Sequence, residues 1–436
     1  MTTPIYQKPV ELLQNLIRFD TTNPPGNEKA IIMYLKEIIE DAGLKTTILA
    51  KDENRPNLIT RLPGRGDAPP LLLYGHVDVV TTVGQKWTHP PFEGKIVDDM
   101  IWGRGALDMK GGIAMMVSAL LRAHEAGEKP PGDIILAIVS DEEVDGSHGA
   151  RFLTENHAEL FDGVKYAIGE GGGVSLEMGG EKFYTVMVAE KQICSVRATV
   201  RGKAGHGSMP RRGGATAKLA KMLNLLENQR LPVHITPVSD QMLSTIGNSL
   251  TFPTNLAMKM LLNPTFTDRV LDALGDKGLL INPLLHNTVS PNIIRGGNKI
   301  NVIPAEISVD LDGRLLPQFT PDDMLAELSA LLGDDVELEV THYYKGAGTP
   351  DMTLYPLLAD ILQKADPSGT PIPMLLSGVT DGRFFSRIGI QTYGYLPTEI
   401  PGELINTIHA ANERVPVAAM EFGTNAISEV LRRFEG

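Results

Sequence analysis

The sequence predicts an α/β protein in which a second domain is inserted into the first. Helical and strand patterns alternate over about the first 190 residues, which is typical of α/β domains. From Gln192 to the start of the 340s the predicted order becomes strand, helix, strand, strand, helix, strand, the ferredoxin-like arrangement. The alternating pattern returns after Tyr343, so we expect the second domain to interrupt the first.

The first domain combines an amphipathic helix with continuous apolar runs. The helix ends at Gly43, and its apolar face comprises Ile31, Ile32, Leu35, Ile38 and Ile39. The apolar runs cover 71–74, 134–139 and 164–168, and a further helix is predicted over about 112–126. Uninterrupted runs of this length favour strands that are buried on both faces of a largely parallel sheet.

The second domain is predicted from a different pattern. Its strands are expected at 192–201, 288–295, 305–314 and 335–341, and its helices at 214–228 and 321–332. Ile307, Val309 and Leu311 alternate with polar residues, as in a sheet with one solvated face. Residues 231–287, rich in Leu, Met and Pro, receive no assignment. A last helix starts at Pro416 and turns Ile427, Val430, Leu431 and Phe434 toward the core.

Composition and charge exclude several classes of protein. The 436 residues correspond to two to four domains. The net charge of −13 argues against nucleic-acid partners and against anionic membranes. The longest uncharged apolar stretch, 111–121, is too short to cross a bilayer, and residues 1–20 lack the pattern of a secretory signal. We therefore expect a soluble, cytoplasmic protein.

Metal ligands, if present, must be imidazoles and carboxylates. Cys194 is the only cysteine, which excludes an intramolecular disulfide and a cysteine-rich metal site. Ten histidines and 53 acidic residues remain as candidate ligands.

Histidines and acids follow the predicted strands or precede the predicted helices in five segments. These segments are Gly75-His76-Val77-Asp78, Gly103 to Asp108, Ser140-Asp141-Glu142-Glu143, Gly169-Glu170 and His409 to Glu413. Open α/β sheets bind ligands at the carboxyl ends of their strands. Each segment alone has an ordinary explanation: a structural hydrogen bond, a helix-start acid favoured by the helix dipole, a solvated acidic loop, a turn or a core histidine. Together these acids would repel one another unless cations were bound.

The ligand types favour catalytic zinc, with cobalt or manganese as tolerated substitutes. Two histidines and three acids suffice for two ions if one acid bridges them. Asp78 lies two residues after His76, so on a strand it would face the same side and accept the second ring N–H. Glu142 and Glu143 are neighbours and cannot both face one ion, so one would bind metal while the other holds the attacking water.

The chain resembles the aminoacylase, carboxypeptidase G, acetylornithine deacetylase and succinyl-diaminopimelate desuccinylase family of zinc metallopeptidases. The matching segments occur in family order and cover nearly the whole chain. They are Gly75 to Asp78, Gly103 to Gly112, Asp141-Glu142-Glu143, Glu170, Gly205-His206-Gly207-Ser208, Asn301-Val302-Ile303-Pro304, and His409 to Glu413.

The resemblance implies a ligand set for two zinc ions in each subunit. His76, Asp108 and Glu170 would hold one ion, and Asp108, Glu143 and His409 the other, with Asp108 as the bridge. Glu142 would be the general base and then the acid, and Asp78 would orient His76. The family often has a cis peptide after the bridging aspartate, here Asp108-Met109.

The resemblance also implies an architecture and a substrate pocket. Residues 1–187 and 343–436 would form the di-zinc exopeptidase-like α/β/α catalytic domain. Residues 188–342 would form the lid and dimerisation domain of a homodimer, with an insertion at about 231–287. His206 would reach the partner's zinc site and stabilise the oxyanion. Arg314 would bind the substrate carboxylate; alternatively, it would only pair with Asp310 or Asp312. Asn292 and Gly378 would also line the pocket.

The sequence therefore predicts a metal-dependent hydrolase. It would cleave the amide bond of an N-acyl amino acid or remove the C-terminal residue of a small peptide. Two alternatives remain open at this point: a di-zinc aminopeptidase or dipeptidase, which would need an acidic pocket for the substrate amine, and a non-catalytic homologue that acts as a binding or scaffold protein.

Overall fold

The computed structural model describes residues 3–346 and 348–436, and these fall into two units. The first unit consists of residues up to 188, 350–374 and 380–436, and the second of 189–349 and 375–379. Up to residue 190 the elements are α1 (Pro9–Ile17), α2 (Lys29–Asp41), β1 (Thr46–Leu49), β2 (Asn57–Leu62), β3 (Leu71–His76), β4 (Lys95–Val97), β5 (Met100–Trp102), α3 (Lys110–Glu125), β6 (Ile134–Val139), α4 (Ala150–Asn156), β7 (Tyr166–Gly169), β8 (Ser175–Met178) and β9 (Glu181–Glu190).

The remaining elements follow in chain order. From residue 192 to 344 they are β10 (Gln192–Arg201), β11 (Gly205–His206), α5 (Ala215–Asn228), α6 (Pro237–Ser249), α7 (Thr254–Leu261), α8 (Thr267–Leu274), α9 (Asp276–Leu285), β12 (Thr288–Gly296), β13 (Val302–Ile303), β14 (Glu306–Leu315), α10 (Pro321–Leu332) and β15 (Val336–Tyr344). After residue 350 they are α11 (Tyr355–Ala365), β16 (Gly369–Leu376), α12 (Gly382–Arg387), β17 (Gln391–Gly394), β18 (Arg414–Pro416) and α13 (Val417–Arg433).

A nine-stranded sheet forms the centre of the first unit. Its order is β1-β2-β6-β3-β7-β17-β9-β16, with β8 paired to β9. The strands β6, β3, β7 and β17 pair in parallel, whereas β2 is antiparallel to β1 and to β6, and β9 is antiparallel to β17. Every residue of β3 and β6 is buried, as the uninterrupted apolar runs predict. The parallel part of the sheet thus brings the carboxyl ends of β3, β6 and β7 to one edge.

Helices cover this sheet. Helix α3 packs against α13, α1 and strand β3, and its start at Lys110 lies two residues before the predicted one. The C-terminal helix carries buried Ile427, Val430 and Leu431, and Phe434 directly after it is also buried. These side chains are the ones that the helical periodicity predicts for its core face.

The second unit contains a four-stranded antiparallel sheet of order β12-β14-β10-β15. With α5 and α10 this is the predicted ferredoxin-like arrangement. Ile307, Val309 and Leu311 on β14 are buried while their neighbours remain partly exposed, as the alternation predicts. The unassigned residues 231–287 form mainly the helices α6 to α9.

Within the described residues, the structure contains no helix that is both long and apolar enough to cross a membrane.

Candidate metal centre

The candidate ligands of the first unit lie at the ends of strands, at the start of one helix and in one loop. His76 is the last residue of β3, Glu170 directly follows β7, and Glu143 lies in the turn after β6. Asp108 stands two residues before α3, and its peptide bond to Met109 is cis, as the resemblance implied. His409, with a positive φ of 60°, lies in the loop that leads to β18. Elements far apart in sequence therefore deliver five ligand-type side chains to one place.

The first group of candidate ligands comprises His76, Asp108 and Glu170. Nε2 of His76 lies 3.1 Å from Oδ1 of Asp108 and 3.4 Å from Oε2 of Glu170. One donor atom from each residue lies within 4.8 Å of the other two, so a single cation fits between them.

The second group comprises Asp108, Glu143 and His409. Nε2 of His409 lies 3.1 Å from Oδ2 of Asp108 and 3.1 Å from Oε2 of Glu143. Asp108 thus turns one carboxylate oxygen to His76 and the other to His409. This is the geometry that a carboxylate shared by two cations requires.

The electrostatics of the cluster fit bound cations. Burial raises the pKa of Glu170, and the charges of Asp108 and Glu143 raise it further. Oε1 of Glu143 is buried without a hydrogen-bond partner among the described residues. The carboxylates of Asp108 and Glu143 raise the pKa of His409 to about 10. Metal binding would therefore displace protons from this cluster and would supply the missing positive charge.

Glu142 belongs to neither group of candidate ligands. Burial raises the pKa of its carboxyl group well above the usual value, and the charge of Glu170 adds to this effect. The preceding residue, Asp141, has a φ of 69°. Because the chain leaves the extended conformation there, Glu142 and Glu143 no longer follow the alternation of a strand, and only Glu143 contributes an atom to a ligand group.

Asp78 contacts the His76 ring through its backbone carbonyl oxygen as well as through its carboxylate. Nδ1 of His76 lies 3.0 Å from the backbone carbonyl oxygen of Asp78 and 3.5 Å from its carboxylate. Strand β3 ends at His76, so Asp78 no longer follows the alternation from which the carboxylate contact was predicted. The Asp78 carboxylate also accepts hydrogen bonds from the backbone N–H groups of Glu142 and Glu143, both at 3.1 Å. It therefore fixes the turn that presents these two acids.

Asn23 connects this turn to the body of the first unit, and the sequence analysis did not identify it. Its side-chain amide donates to Asp78 at 2.9 Å and to Asp141 at 3.0 Å. Asp141 also pairs with Arg55 at 2.9 Å, and Arg55 pairs with buried Glu28 at 2.7 Å. Buried charges require such partners. The run Asn23-Pro24-Pro25-Gly26 is a turn signal that could have drawn attention to this position.

Glu413 fixes the segment that carries Asp108. Its carboxylate pairs with Arg104 and accepts hydrogen bonds from the backbone N–H groups of Gly105, Leu107 and Asp108. In the sequence, Glu413 is distinguished only as the last residue of the segment that begins at His409. Its partners lie about 300 residues away in the chain, so no local pattern could identify them.

Asp381, one residue before α12, is a further buried acid that the sequence analysis did not identify. Both of its carboxylate oxygens lack a hydrogen-bond partner among the described residues. Burial, together with the charges of Glu170 and Asp78, raises the pKa of Asp381 to about 8 although Arg383 opposes the shift. The excess of acidic groups thus extends beyond the two ligand groups.

The other predicted site residues lie in the second unit. His206, at the end of β11, is exposed, and its Nδ1 lies 2.7 Å from the Ser208 hydroxyl. Arg314 donates from Nε to Asp312 at 2.8 Å, the ion pair that the sequence analysis kept as an alternative to a substrate contact. Asn292 accepts a hydrogen bond from Ser290 on exposed β12, and Gly378 has open space where a side chain would stand.

Comparison with known proteins shows the family of this chain. Residues 72–433 match the sequence model of peptidase family M20/M25/M40. The chain belongs to this family. A probable succinyl-diaminopimelate desuccinylase of Staphylococcus aureus is 30% identical over 74% of this chain and 71% of its own length. A probable carboxypeptidase S-like 2 protein of Dictyostelium discoideum is 27% identical over 80% of this chain and 68% of its own length.

Solved structures of other proteins share the fold of this chain. An M20 family metallo-carboxypeptidase of Sulfolobus solfataricus superposes with a TM-score of 0.67 and 18% identity over 98% of this chain and 99% of its own. A dinuclear metal-binding M20 peptidase of Bacillus subtilis gives a TM-score of 0.61 with 11% identity over 98% of this chain and 97% of its own. The predicted α/β fold with its ferredoxin-like unit is therefore confirmed.

Proposed function

We propose that this M20 enzyme uses two Zn²⁺ ions per chain to hydrolyse the amide bond of an N-acyl amino acid or the C-terminal amide bond of a small peptide. The observation that carries the proposal is the carboxylate of Asp108, whose two oxygens face the two candidate ligand groups. The names of the two relatives, a desuccinylase and a carboxypeptidase-like protein, support a substrate that presents a free carboxylate.

The proposed ligands match the preferences of zinc. His76, Asp108 and Glu170 would hold one ion, and Asp108, Glu143 and His409 the other. Imidazole and carboxylate donors without thiolate are the ligands of catalytic zinc sites. When bound, the two ions would polarise the scissile carbonyl group and lower the pKa of the attacking water.

In the proposed mechanism, Glu142 moves the proton. Its carboxylate would accept a proton from the attacking water and then donate it to the nitrogen of the leaving amine. Burial and neighbouring acids raise the pKa of Glu142, which makes its carboxylate a stronger base toward the attacking water than an ordinary glutamate. The hydrogen bonds from the Glu142 and Glu143 backbone to Asp78 would keep base and ligand at fixed positions.

Arg314 is the proposed contact for the substrate carboxylate. Asp312 engages its Nε and Nη2 atoms in this structure. The remaining Nη1 can donate to a substrate, and Asp312 would keep the planar group oriented.

A hydrolysis assay with the zinc-loaded enzyme tests this function. We expect turnover of N-acetyl or N-succinyl amino acids, or release of a C-terminal residue from dipeptides, and little turnover of amino-acyl amides. Replacement of Arg314 by Lys should raise KM for carboxylate substrates, because an ammonium group cannot bind Asp312 through two nitrogens and still present a third, oriented donor to the substrate. Turnover of amino-acyl amides alone would contradict the proposal and would favour the aminopeptidase alternative.

The exposed edge strand β12 supports a homodimer. It lies at one edge of the second sheet, and Ile293 and Ile294 are about half exposed on it. An apolar edge strand with unpaired backbone groups is a template for pairing with another chain. A two-fold contact at this edge would place the same surface on both subunits. We propose that the exposed His206 then acts in the partner's site and stabilises the oxyanion.

Subunit mixing tests the action of His206 in the partner's site. A His206→Ala subunit and a Glu142→Ala subunit should each be inactive. Mixed dimers should regain part of the activity, because one of their two sites has both intact residues. An inactive hybrid, despite demonstrated subunit exchange, would contradict the assignment.

A further inference from the structure

A strongly basic segment lies within this acidic protein. Between Glu190 and Glu227 the sequence contains no acidic residue, whereas the whole chain has a net charge of −13. The basic residues of this segment are Lys191, Arg197, Arg201, Lys203, Arg211, Arg212, Lys218 and Lys221. None of them is among the metal ligands or the substrate contacts proposed above.

Five of these cations line one cleft of about 660 Å³ in the second unit, between the end of β10 and the start of α5. We call it the basic cleft; its cations are Arg201, Lys203, Arg211, Arg212 and Lys218. Arg201 pairs with Glu306 and Glu337, and Lys218 pairs with Asp335 at 2.6 Å. Two of the five cations in the basic cleft therefore have acidic partners.

The other three cations have no such partner. Lys203, Arg211 and Arg212 form no ion pair with a described residue, and all three are exposed. Like charges in one cleft repel one another, and an anion bound among them would remove this repulsion. Two arginines and a lysine also provide the planar and point-charge donors that bind phosphate oxygens.

The backbone of the basic cleft suits an anion as well. Gly213 has a φ of 70°, and Gly214 precedes α5 without a side chain that could cap its first N–H groups. A Cβ atom on Gly202 would lie 2.3 Å from the backbone nitrogen of Ala215, so the glycine allows close approach at this point. The uncapped N–H groups at the start of α5 and the positive end of its helix dipole would attract an anion, as the three unpaired cations do.

We propose that the basic cleft binds a small molecule carrying a phosphate group. The volume of the cleft fits a metabolite-sized ligand, whereas the overall negative charge of the protein disfavours a nucleic acid. The loop that carries Lys203 and Arg211 also carries His206, so the ligand would hold this loop in one conformation. The binding itself does not depend on the proposed hydrolase function.

Calorimetric titration of the metal-loaded full chain with glycerol 3-phosphate tests this site. We expect saturable binding that weakens at high salt. The double variant Arg211→Gln/Arg212→Gln should bind at least tenfold more weakly. The control Lys259→Gln/Lys277→Gln changes the net charge equally at two exposed lysines outside the cleft and should bind like the wild type. Because the metal centre is identical in all three proteins, only a difference in binding between them reports on the basic cleft.

Two results of this titration would contradict phosphate binding in the basic cleft. No saturable binding to the wild type, or equal binding by the Arg211/Arg212 variant, would overturn the proposal. Citrate provides a second arm: if this tricarboxylate bound as tightly as glycerol 3-phosphate, the assignment to phosphate would be wrong. Each variant is checked for unchanged metal content and circular dichroism, so a loss of binding reports on the cleft and not on folding.

Discussion

Replacement of Glu142 by Gln should abolish most of the turnover while leaving both metal ions in place. The amide preserves the shape of the side chain but cannot accept the proton of the attacking water. General acid–base catalysis is worth about 10²–10⁴-fold in rate, and we expect a loss at the upper end of this range or beyond it. Metal content and substrate affinity should change little, because Glu142 belongs to neither ligand group.

Glu143→Gln is the matched control for this prediction, since the same chemical change is made one residue along the chain. Oε2 of Glu143 lies 3.1 Å from Nε2 of His409 within the second group, so this variant should lose metal first and activity with it. Loss of metal from Glu142→Gln with retention in Glu143→Gln would mean that the two roles are exchanged. Near-normal turnover of Glu142→Gln would place the general base elsewhere.

Replacement of Asp108 by Asn should remove both metal ions and all measurable activity. An amide has one carbonyl oxygen and no charge, so it cannot serve two cations as the carboxylate can. The buried acids around it would then lack the positive charge that offsets their repulsion. Elemental analysis of protein purified without a chelator measures the effect directly, alongside the turnover assay.

The number of ions lost distinguishes a bridging ligand from an ordinary one. Glu143→Gln should retain about one ion per chain, because the group of His76, Asp108 and Glu170 remains complete. Asp108→Asn should retain close to none. If Asp108→Asn lost only one ion, Asp108 would belong to a single site and the proposed bridge would be wrong.

The sequence carried enough information to predict where the candidate ligands meet. Because β3, β6 and β7 run in parallel, residues at or shortly after the end of each strand share one edge of the sheet, and His76, Glu143 and Glu170 do so. The alternation in β14 likewise predicted which of its residues are buried. Such inferences succeed where a local period determines the direction of a side chain.

The predictions were incomplete where tertiary contacts decide the geometry. The Asp78 carboxylate lies 3.5 Å from Nδ1 of His76, but the spacing did not show that the backbone carbonyl oxygen of Asp78 lies closer or that the carboxylate also accepts hydrogen bonds from the turn after β6. Asn23 and Glu413 act across 55 residues or more, so no local spacing identifies them. Within the insertion at 231–287, which received no assignment, an interior proline obscures the helical period of α9.

Metal titration of the chelator-treated chain tests the central claim most directly. Zn²⁺ is added to the metal-free protein, the bound ions are counted after removal of free metal, and activity is followed in the same samples. We predict saturation at two ions per chain, with full activity only when the second site is filled. Saturation at a single ion, with neither Glu143 nor His409 affecting the amount bound, would contradict a centre bridged by Asp108.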